Sequence, residues 1–339
     1  MEETREIFKI FKMNGIFFKK KLAQHLIFSI FISLLYSKPC AQRIIPGDHI
    51  AYRYEIRKFI AAGVYGQVVK AYDHAANVEV ALKIMNNHTS IATRMGLEFH
   101  AVRFIQRHVT DDDQPFVVGA MDVFSFRNHQ IFVYELLGDS LYDKYHRKKV
   151  RGYELKRIAW DILEGLDILH RIQLIHNDMK PDNILFTNDQ YPYVKVIDYG
   201  LGCFRDYWDS KIPEERQGMK CPRYYVQTRY YRSPEVMLGH NYTTQSDMWS
   251  FGCIVGELYR GLELIYGESE IDQLAAIMET IGLPPRRLVQ KSWRRDVYFK
   301  AVNYKTKGGF QRFPYRKDLK TVLKSEDELF IDFMNQTLE

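Results

Sequence analysis

The hydrophobic period of this 339-residue chain changes once, close to Glu135 to Gly138. Before that point, short segments rich in Val, Ile, Tyr and Phe follow the alternation of half-buried strands. They run from Tyr52 to Ile60, Gln67 to Asp73, Glu79 to Met85, Phe116 to Phe126 and Gln130 to Leu136. The turns Asp73 to Asn77 and Asp111 to Asp113 punctuate them. One helix interrupts the series, with Leu97, Ala101, Phe104 and Ile105 on a single face. Beyond Gly138 the period is that of helices: Leu155, Ile158, Ile162, Leu163, Leu166 and Leu169 form one stripe. Trp249 to Leu258 is apolar nearly all round, and Leu274, Ile277, Met278 and Ile281 make another stripe. Such a chain is neither one sheet nor one bundle. The expectation is an α+β, bilobal fold, a small antiparallel sheet with one main helix followed by a larger helical lobe, with a ligand crevice between them. The expected divisions are an extension at 1–49, a first lobe at 50–136 and a second at 137–339.

Composition supports a globular protein, because 46% hydrophobic residues suffice for a large core and 20 Gly with 11 Pro exclude collagenous and low-complexity chains. The net charge, 48 − 42 = +6, is spread along the chain, so direct nucleic-acid binding is not expected. The basic clusters at Lys19 to Lys21, Arg147 to Arg151, Arg286 to Lys291 and Lys305 to Lys307 read as solvated surface. Cys40, Cys203, Cys221 and Cys253 show no C-x-x-C spacing, which points to a reducing compartment, cytoplasmic or nuclear, and away from zinc or a stapled secreted fold. The apolar run 22–36 after three lysines stands against this reading. It leaves open a signal-anchor, an amphipathic helix on the catalytic domain or on a membrane, and an extension absent from the working protein.

Four motifs carry the chemistry. Ala61-Ala-Gly63-Val64-Tyr-Gly66-Gln-Val68 lies between two strands, where backbone amides close over phosphates; its bland alternative is a hairpin needing positive φ at both glycines. Val80-Ala81-Leu-Lys83 places a lysine in an apolar strand, where it either snorkels to the surface or meets an anion; Glu98 is a candidate partner, though each residue alone reads as a solvated side chain. His176-Asn-Asp178-Met-Lys180-Pro-Asp-Asn183 offers a carboxylate for a hydroxyl proton, an ammonium for phosphoryl charge and an amide oxygen for a cation. Val196-Ile-Asp198-Tyr-Gly200 adds a second carboxylate where a hard cation would need it. Their order in one chain makes a chance Asp-rich turn a poor explanation.

From Tyr52 onward the chain resembles eukaryotic protein kinases, with Ser233-Pro-Glu235 and Asp247-Met-Trp-Ser-Phe-Gly252 as further matches. The segment Tyr225-Val-Gln-Thr228-Arg229-Tyr-Tyr-Arg232-Ser-Pro-Glu resembles the CMGC group, in its dual-specificity tyrosine-regulated (DYRK-type) and CDC-like (LAMMER) branches alike. The resemblance implies ATP and Mg2+, with Asp178 as catalytic base, Lys180 beside the transferred group, and Asn183 and Asp198 holding the metal. It implies that Ala61, Gly63, Val64, Gly66 and Val68 cover the nucleotide, and that Lys83, paired with Glu98, binds its phosphates. Ala81 and Leu185 would also bind the nucleotide, with Tyr134 as gatekeeper and Glu135, Leu136 and Leu137 as the hinge that receives adenine. Phosphorylated Tyr225 would be held by Arg229 and Arg232. The implied activity is transfer of the γ-phosphoryl group to serine or threonine near proline or arginine in proteins, with tyrosine autophosphorylation at Tyr225. A pseudokinase acting as a binding module is the alternative. Asn177 in place of arginine, Tyr199 in place of phenylalanine and Ala61 in place of glycine depart from the family pattern. The second lobe also reads as lacking its last helices, which would leave Glu235 without an arginine partner.

Overall fold

The computed structural model describes residues 45–63, 66–86, 89–110, 115–187, 192–205, 221, 226–299 and 311–338. The segment 22–36, Val64, the Asp111 to Asp113 turn, Tyr225 and the lysine clusters at 19–21 and 305–307 lie outside them. The chain divides into units Met1–Asp48 and His49–Glu339. Of the first, 45–48 form a turn closed by Asp48 N–H donating to Ile45 O at 3.1 Å. No helix among the described residues is long and apolar enough to cross a membrane.

The second unit opens with the antiparallel strands β1 (His49–Ile50), β2 (Tyr54–Ala62), β3 (Gly66–Asp73) and β4 (Val78–Met85). Helix α1 (Thr89–His108) follows, then β5 (Ala120–Phe126) and β6 (His129–Glu135), in the spatial order β1-β2-β3-β4-β6-β5. Two sequence expectations shift here. Tyr52 is 95% exposed at φ 56° and belongs to a turn, while Phe116 precedes β5, its carbonyl accepting from Val196 N–H at 2.9 Å.

Strands β2 and β3 form a hairpin here, closed by Gly63 N–H donating to Gly66 O at 2.9 Å, but neither glycine has the positive φ that the hairpin alternative required. Gly66 is glycine for a different reason: a Cβ there would stand 2.4 Å from the Ile84 carbonyl oxygen of β4. The β3–β4 pair passes too close for any side chain.

The remaining elements are helical except for short β pairs. A capping box at Ser140 and Asp143 starts α2 (Leu141–Tyr145), just after the change of period. In α3 (Gly152–Arg171), Leu155, Ile158, Ile162, Leu166 and Leu169 are all buried. Each contributes about 1.5–3 kcal/mol of apolar burial. The strands β7 (Leu174–Ile175), β8 (Ile184–Phe186), β9 (Val194–Val196) and β10 (Cys203–Phe204) come next, pairing β7 with β10 and β8 with β9. They bracket the loop 176–183.

Then come α4 (Pro234–Leu238), α5 (Gln245–Arg260), α6 (Glu270–Thr280), α7 (Arg286–Lys291), α8 (Arg295–Phe299), α9 (Leu319–Leu323) and α10 (Glu328–Leu338). The apolar circumference of α5 is explained by burial on every side, including contact of Gly252 with Thr337 and Leu338 of α10.

Cys203 and Cys221 are joined by a disulfide, which the spacing of the cysteines did not suggest. Spacing in sequence says little when a loop brings two thiols together. The bond closes an 18-residue separation from β10 into the segment before Val226. Cross-linking a loop of this size restricts the unfolded chain by about 3 kcal/mol. Cys221→Ser is expected to lower the unfolding free energy in urea by about that amount. Reductant should reproduce the loss in the parent protein and change nothing in the variant.

Candidate active site

Lys83 sits mid-strand in β4, opposite Val68 of β3 and Phe132 of β6, so its stem is enclosed by the sheet. Its Nζ donates to Glu98 Oε1 at 2.6 Å and to Asp198 Oδ1 at 2.9 Å. Burial opposes the lysine charge, but Glu98 and Asp198 outweigh it and raise the pKa. Burial likewise opposes ionisation of Asp198, and Lys83 overrides it, holding the carboxyl at about 2. Burial pushes the Glu98 carboxyl up, with Lys83 partly offsetting it, so the ammonium and the Asp198 carboxylate are the firmly charged members of the set. Tyr134 Oη donates to the same Glu98 oxygen at 3.4 Å.

The backbone of Asp198 is left-handed, at φ 66°, a conformation that costs energy for a residue with a side chain and aims the carboxylate at Lys83. A Cβ on Gly200 would lie 3.2 Å from Asp198 Oδ1 and 3.4 Å from Glu98 Oε2, so glycine there keeps the turn open. The Tyr199 hydroxyl finds its partner in the Val196 carbonyl, at 3.0 Å.

The loop 176–183 is fixed from below. Fully buried Asp247, near the start of α5, accepts from His176 N–H at 2.8 Å and from Asn177 N–H at 3.0 Å. It also faces His170 Nε2 at 3.1 Å. Two backbone donors in a buried loop are thus satisfied by one carboxylate. His176 Nδ1 accepts from Asp178 N–H at 3.1 Å, which leaves Nε2–H to donate to Ile197 O at 2.9 Å. In place of the arginine common at this position, Asn177 donates to Leu201 O and to Cys203 Sγ, each at 3.1 Å.

On that platform Asp178 Oδ2 accepts from Lys180 Nζ at 2.6 Å and from Asn183 Nδ2 at 3.3 Å. Its Oδ1 accepts from Thr228 Oγ1 at 2.9 Å. Asn183 Nδ2 also donates to Asp178 O at 2.8 Å, which turns the amide oxygen away from Asp178. Lys83 and Gly200 N–H both bond Oδ1 of Asp198, so Oδ2 faces outward. An amide oxygen and a carboxylate oxygen are the hard donors a Mg2+-like cation accepts, and these residues fit such an ion.

A cavity of about 190 Å³ lies above this set, lined by Val68, Ala81, Lys83, Glu98, Tyr134, Glu135, Leu136, Leu137, Leu185 and Asp198, all expected from the sequence. Ile60, Val118, Gly138 and Ile197 complete the wall and were missed. Their apolar pattern does not separate a cavity wall from ordinary core. Ala61, Gly63 and Gly66 lie outside this lining. A cavity of about 510 Å³ bordered by the same Glu135 to Leu137 is larger, but Glu79, Arg157, Asp161, Tyr193 and Lys195 line it and Lys83, Glu98 and Asp198 do not. Chemistry, not size, marks the smaller one.

The second missed contact is Thr228, whose hydroxyl reaches the Asp178 carboxylate from 50 positions away. Arg229 bonds the carbonyls of Glu268 (3.0 Å) and Gly267 (3.5 Å). Arg232 is buried and bonds Val226 O, Gln227 O and Glu270 Oε1. Burial pushes the Glu235 carboxyl pKa up, with Ser233 and His240 partly offsetting it, and no arginine pairs with it among the described residues.

The protein kinase domain model matches residues 54–339. The chain belongs to the protein kinase family. Dual specificity tyrosine-phosphorylation-regulated kinase 4 of Homo sapiens is 40% identical over 298 residues, 86% of this chain and 55% of that protein. The kinase 2 of the same name from Drosophila melanogaster is 38% identical over 305 residues, 88% of this chain and 40% of that protein. Kinase 3 of Homo sapiens is 35% identical over 318 residues, 87% and 52% respectively. The chain spans about half the length of these curated relatives. Between the two branches that the sequence resembled, these relatives favour the DYRK type. The pseudokinase alternative lacks support, because Lys83, Glu98, Asp178, Lys180, Asn183 and Asp198 are all present and converge.

Proposed function

We propose that this protein transfers the γ-phosphoryl group of ATP, with Mg2+, to serine or threonine of protein substrates, and phosphorylates its own Tyr225. The observation that carries the reading is the convergence of Lys83, Glu98 and Asp198 beside a loop presenting Asp178, Lys180 and Asn183. In this reading residues 50–136 form the nucleotide-binding lobe and 137–339 the catalytic and peptide-binding lobe. Bound Mg2+ would neutralise phosphate charge, held by Asn183 and Asp198. Asp178 orients the attacking hydroxyl and takes its proton, Lys180 faces the charge developing on the transferred group, and Lys83 fixes the phosphates. Arg229 and Arg232 are proposed to meet phosphorylated Tyr225.

Substrate preference for arginine is supported by a group of mutually interacting carboxylates, Glu257, Glu263 and Asp182, the last in the loop that carries Asp178. Glu257 accepts from Tyr231 Oη at 2.6 Å, and burial, reinforced by Glu263 and Asp182, pushes its pKa up to about 7. A guanidinium placed there would relieve the repulsion between these carboxylates. The pH dependence follows with a definite sign. Below about 7 Glu257 is protonated in the folded protein and binds a cation poorly; above it the carboxylate is formed. The same raised pKa means that its contribution to stability declines as pH rises from the ordinary carboxylate range through 7.

The test is a pair of serine peptides with a flanking proline, one carrying arginine and one alanine on the N-terminal side. KM for the arginine peptide should fall about tenfold between pH 6 and pH 8, while the alanine peptide shows no such change. Glu257→Gln should remove the difference. Phosphate incorporation equal in the parent and in Asp178→Ala would overturn the catalytic reading itself.

A further inference from the structure

A cluster of metal-ligating side chains stands at the outer edge of the sheet, away from the residues described above. Strand β1 pairs with β2 so that His49 lies directly opposite Glu55, and β3 places Tyr72 opposite the same glutamate. Two residues beyond Tyr72 the side chain returns to that face, which brings His74 to Glu55. The turn carrying His74 is held firmly. Arg53 forks onto Asp73 with bonds of 2.8 and 2.7 Å, and Asp73 Oδ1 accepts from the amides of Ala75 and Ala76. His74 N–H in turn donates to Arg53 O at 3.1 Å.

As a result, one ligand atom from each of His49, Glu55 and His74 lies within 4.8 Å of the other two. Glu55 Oε2 is 2.9 Å from His74 Nε2, while its other oxygen accepts from Arg57 at 2.7 Å, which fixes the carboxylate plane. The His49 ring lies nearly parallel to that of His74, with centroids 5.5 Å apart and planes 17° off. A hydrogen-bonded imidazole–carboxylate pair accounts for His74 and Glu55 alone. It leaves out the second imidazole, one nitrogen of which also lies within 4.8 Å of the other two ligand atoms.

We propose that His49, Glu55 and His74 form a binding site for a zinc-type divalent ion. Two imidazole nitrogens and one carboxylate suit zinc and its neighbours in the transition series, whereas Mg2+ and Ca2+ require oxygen ligands. Ligands about 2.0–2.2 Å from one zinc stand roughly 3.4 Å apart. The spread of up to 4.8 Å would have to close to that distance on binding, and exposed His49 is free of the packing that would oppose its side-chain rotation. Three protein ligands leave a fourth position for water or a further ligand. The ion would tie β1, β2 and the β3–β4 turn together about 20 Å along β2 from Ala61, too far to touch the phosphates.

The experiment is calorimetric titration of the full, nucleotide-free chain with Zn2+, repeated on His49→Ala, His74→Ala and Glu55→Gln. The parent should show a binding class that weakens at least about tenfold in each variant. Mg2+ should not compete for that class, and Co2+ should give a visible tetrahedral absorption in the parent that His74→Ala lacks. Urea midpoints measured in chelator should coincide for the parent and the two histidine variants, since His49 and His74 are exposed, while half-buried Glu55, bonded to Arg57 and His74, is replaced by the isosteric Gln to keep its packing. Identical zinc isotherms for the parent and all three variants would overturn the site, as would Mg2+ displacing the ion.

Discussion

Lys83→Met is expected to lower kcat/KM by about 10²–10³-fold or more, through loss of a preorganised cation aimed at the phosphates. The same substitution should destabilise the fold. Glu98 is buried, its carboxylate 2.6 Å from the lysine, and Asp198 shares that lysine at 2.9 Å. Removing the cation leaves two carboxylates facing each other with nothing between them. Breaking a buried pair in this way costs about 3–5 kcal/mol. The loss should depend on pH, because a carboxyl escapes the penalty by taking a proton.

The sign is fixed by which state binds that proton. In the variant the folded-state pKa of Glu98 rises well above its unfolded value, since burial and Asp198 both disfavour its charge. The penalty is then greatest at pH 8 and shrinks as the pH falls toward the ordinary carboxylate range. Urea unfolding of parent and variant at pH 8 and pH 5.5 measures it. A gap that stays constant across that range would show that Glu98 does not depend on Lys83 for its charge.

Much of this site was legible because protein kinase chemistry needs particular polar groups in a particular order. A lysine in an apolar strand signalled a buried anion, and Glu98 and Asp198 are those anions. The one change of hydrophobic period located the transition from sheet to helices, and Glu135 to Leu137 at that point do line the cavity. What escaped has a common physical cause. Ile60, Val118 and Ile197 are apolar residues whose sequence pattern is that of core, and only the topology tells wall from interior. Thr228 and Cys221 act through partners 50 and 18 positions away. Contacts of that kind depend on where loops return, which periodicity does not encode. Gly66 shows the opposite case, in which the glycine stands out in the sequence and the structure gives it a reason of its own, close backbone approach instead of a left-handed turn.

Asp178→Asn should reduce kcat by about 10²–10⁴-fold while leaving KM for ATP nearly unchanged. The split follows from position. Asp178 does not line the 190 Å³ cavity, so nucleotide binding does not draw on it. Both of its oxygens are engaged as acceptors, Oδ1 by the Thr228 hydroxyl and Oδ2 by Lys180 and Asn183. An amide of the same shape either turns its NH2 toward Lys180 and Asn183, which breaks those contacts, or toward Thr228, whose hydroxyl must then reverse from donor to acceptor; both arrangements remove the base. Thr228→Ala separates the two losses. It keeps the carboxylate and deletes one hydrogen bond from a neutral hydroxyl to a charged acceptor, worth about 1.5–3 kcal/mol, so kcat should fall about 10–100-fold at most. Steady-state kinetics on one peptide at saturating ATP distinguishes the cases. If Asp178→Asn turned over within tenfold of the parent, the proton would be leaving the hydroxyl by another route, and Asp178 would be only a structural member of the loop.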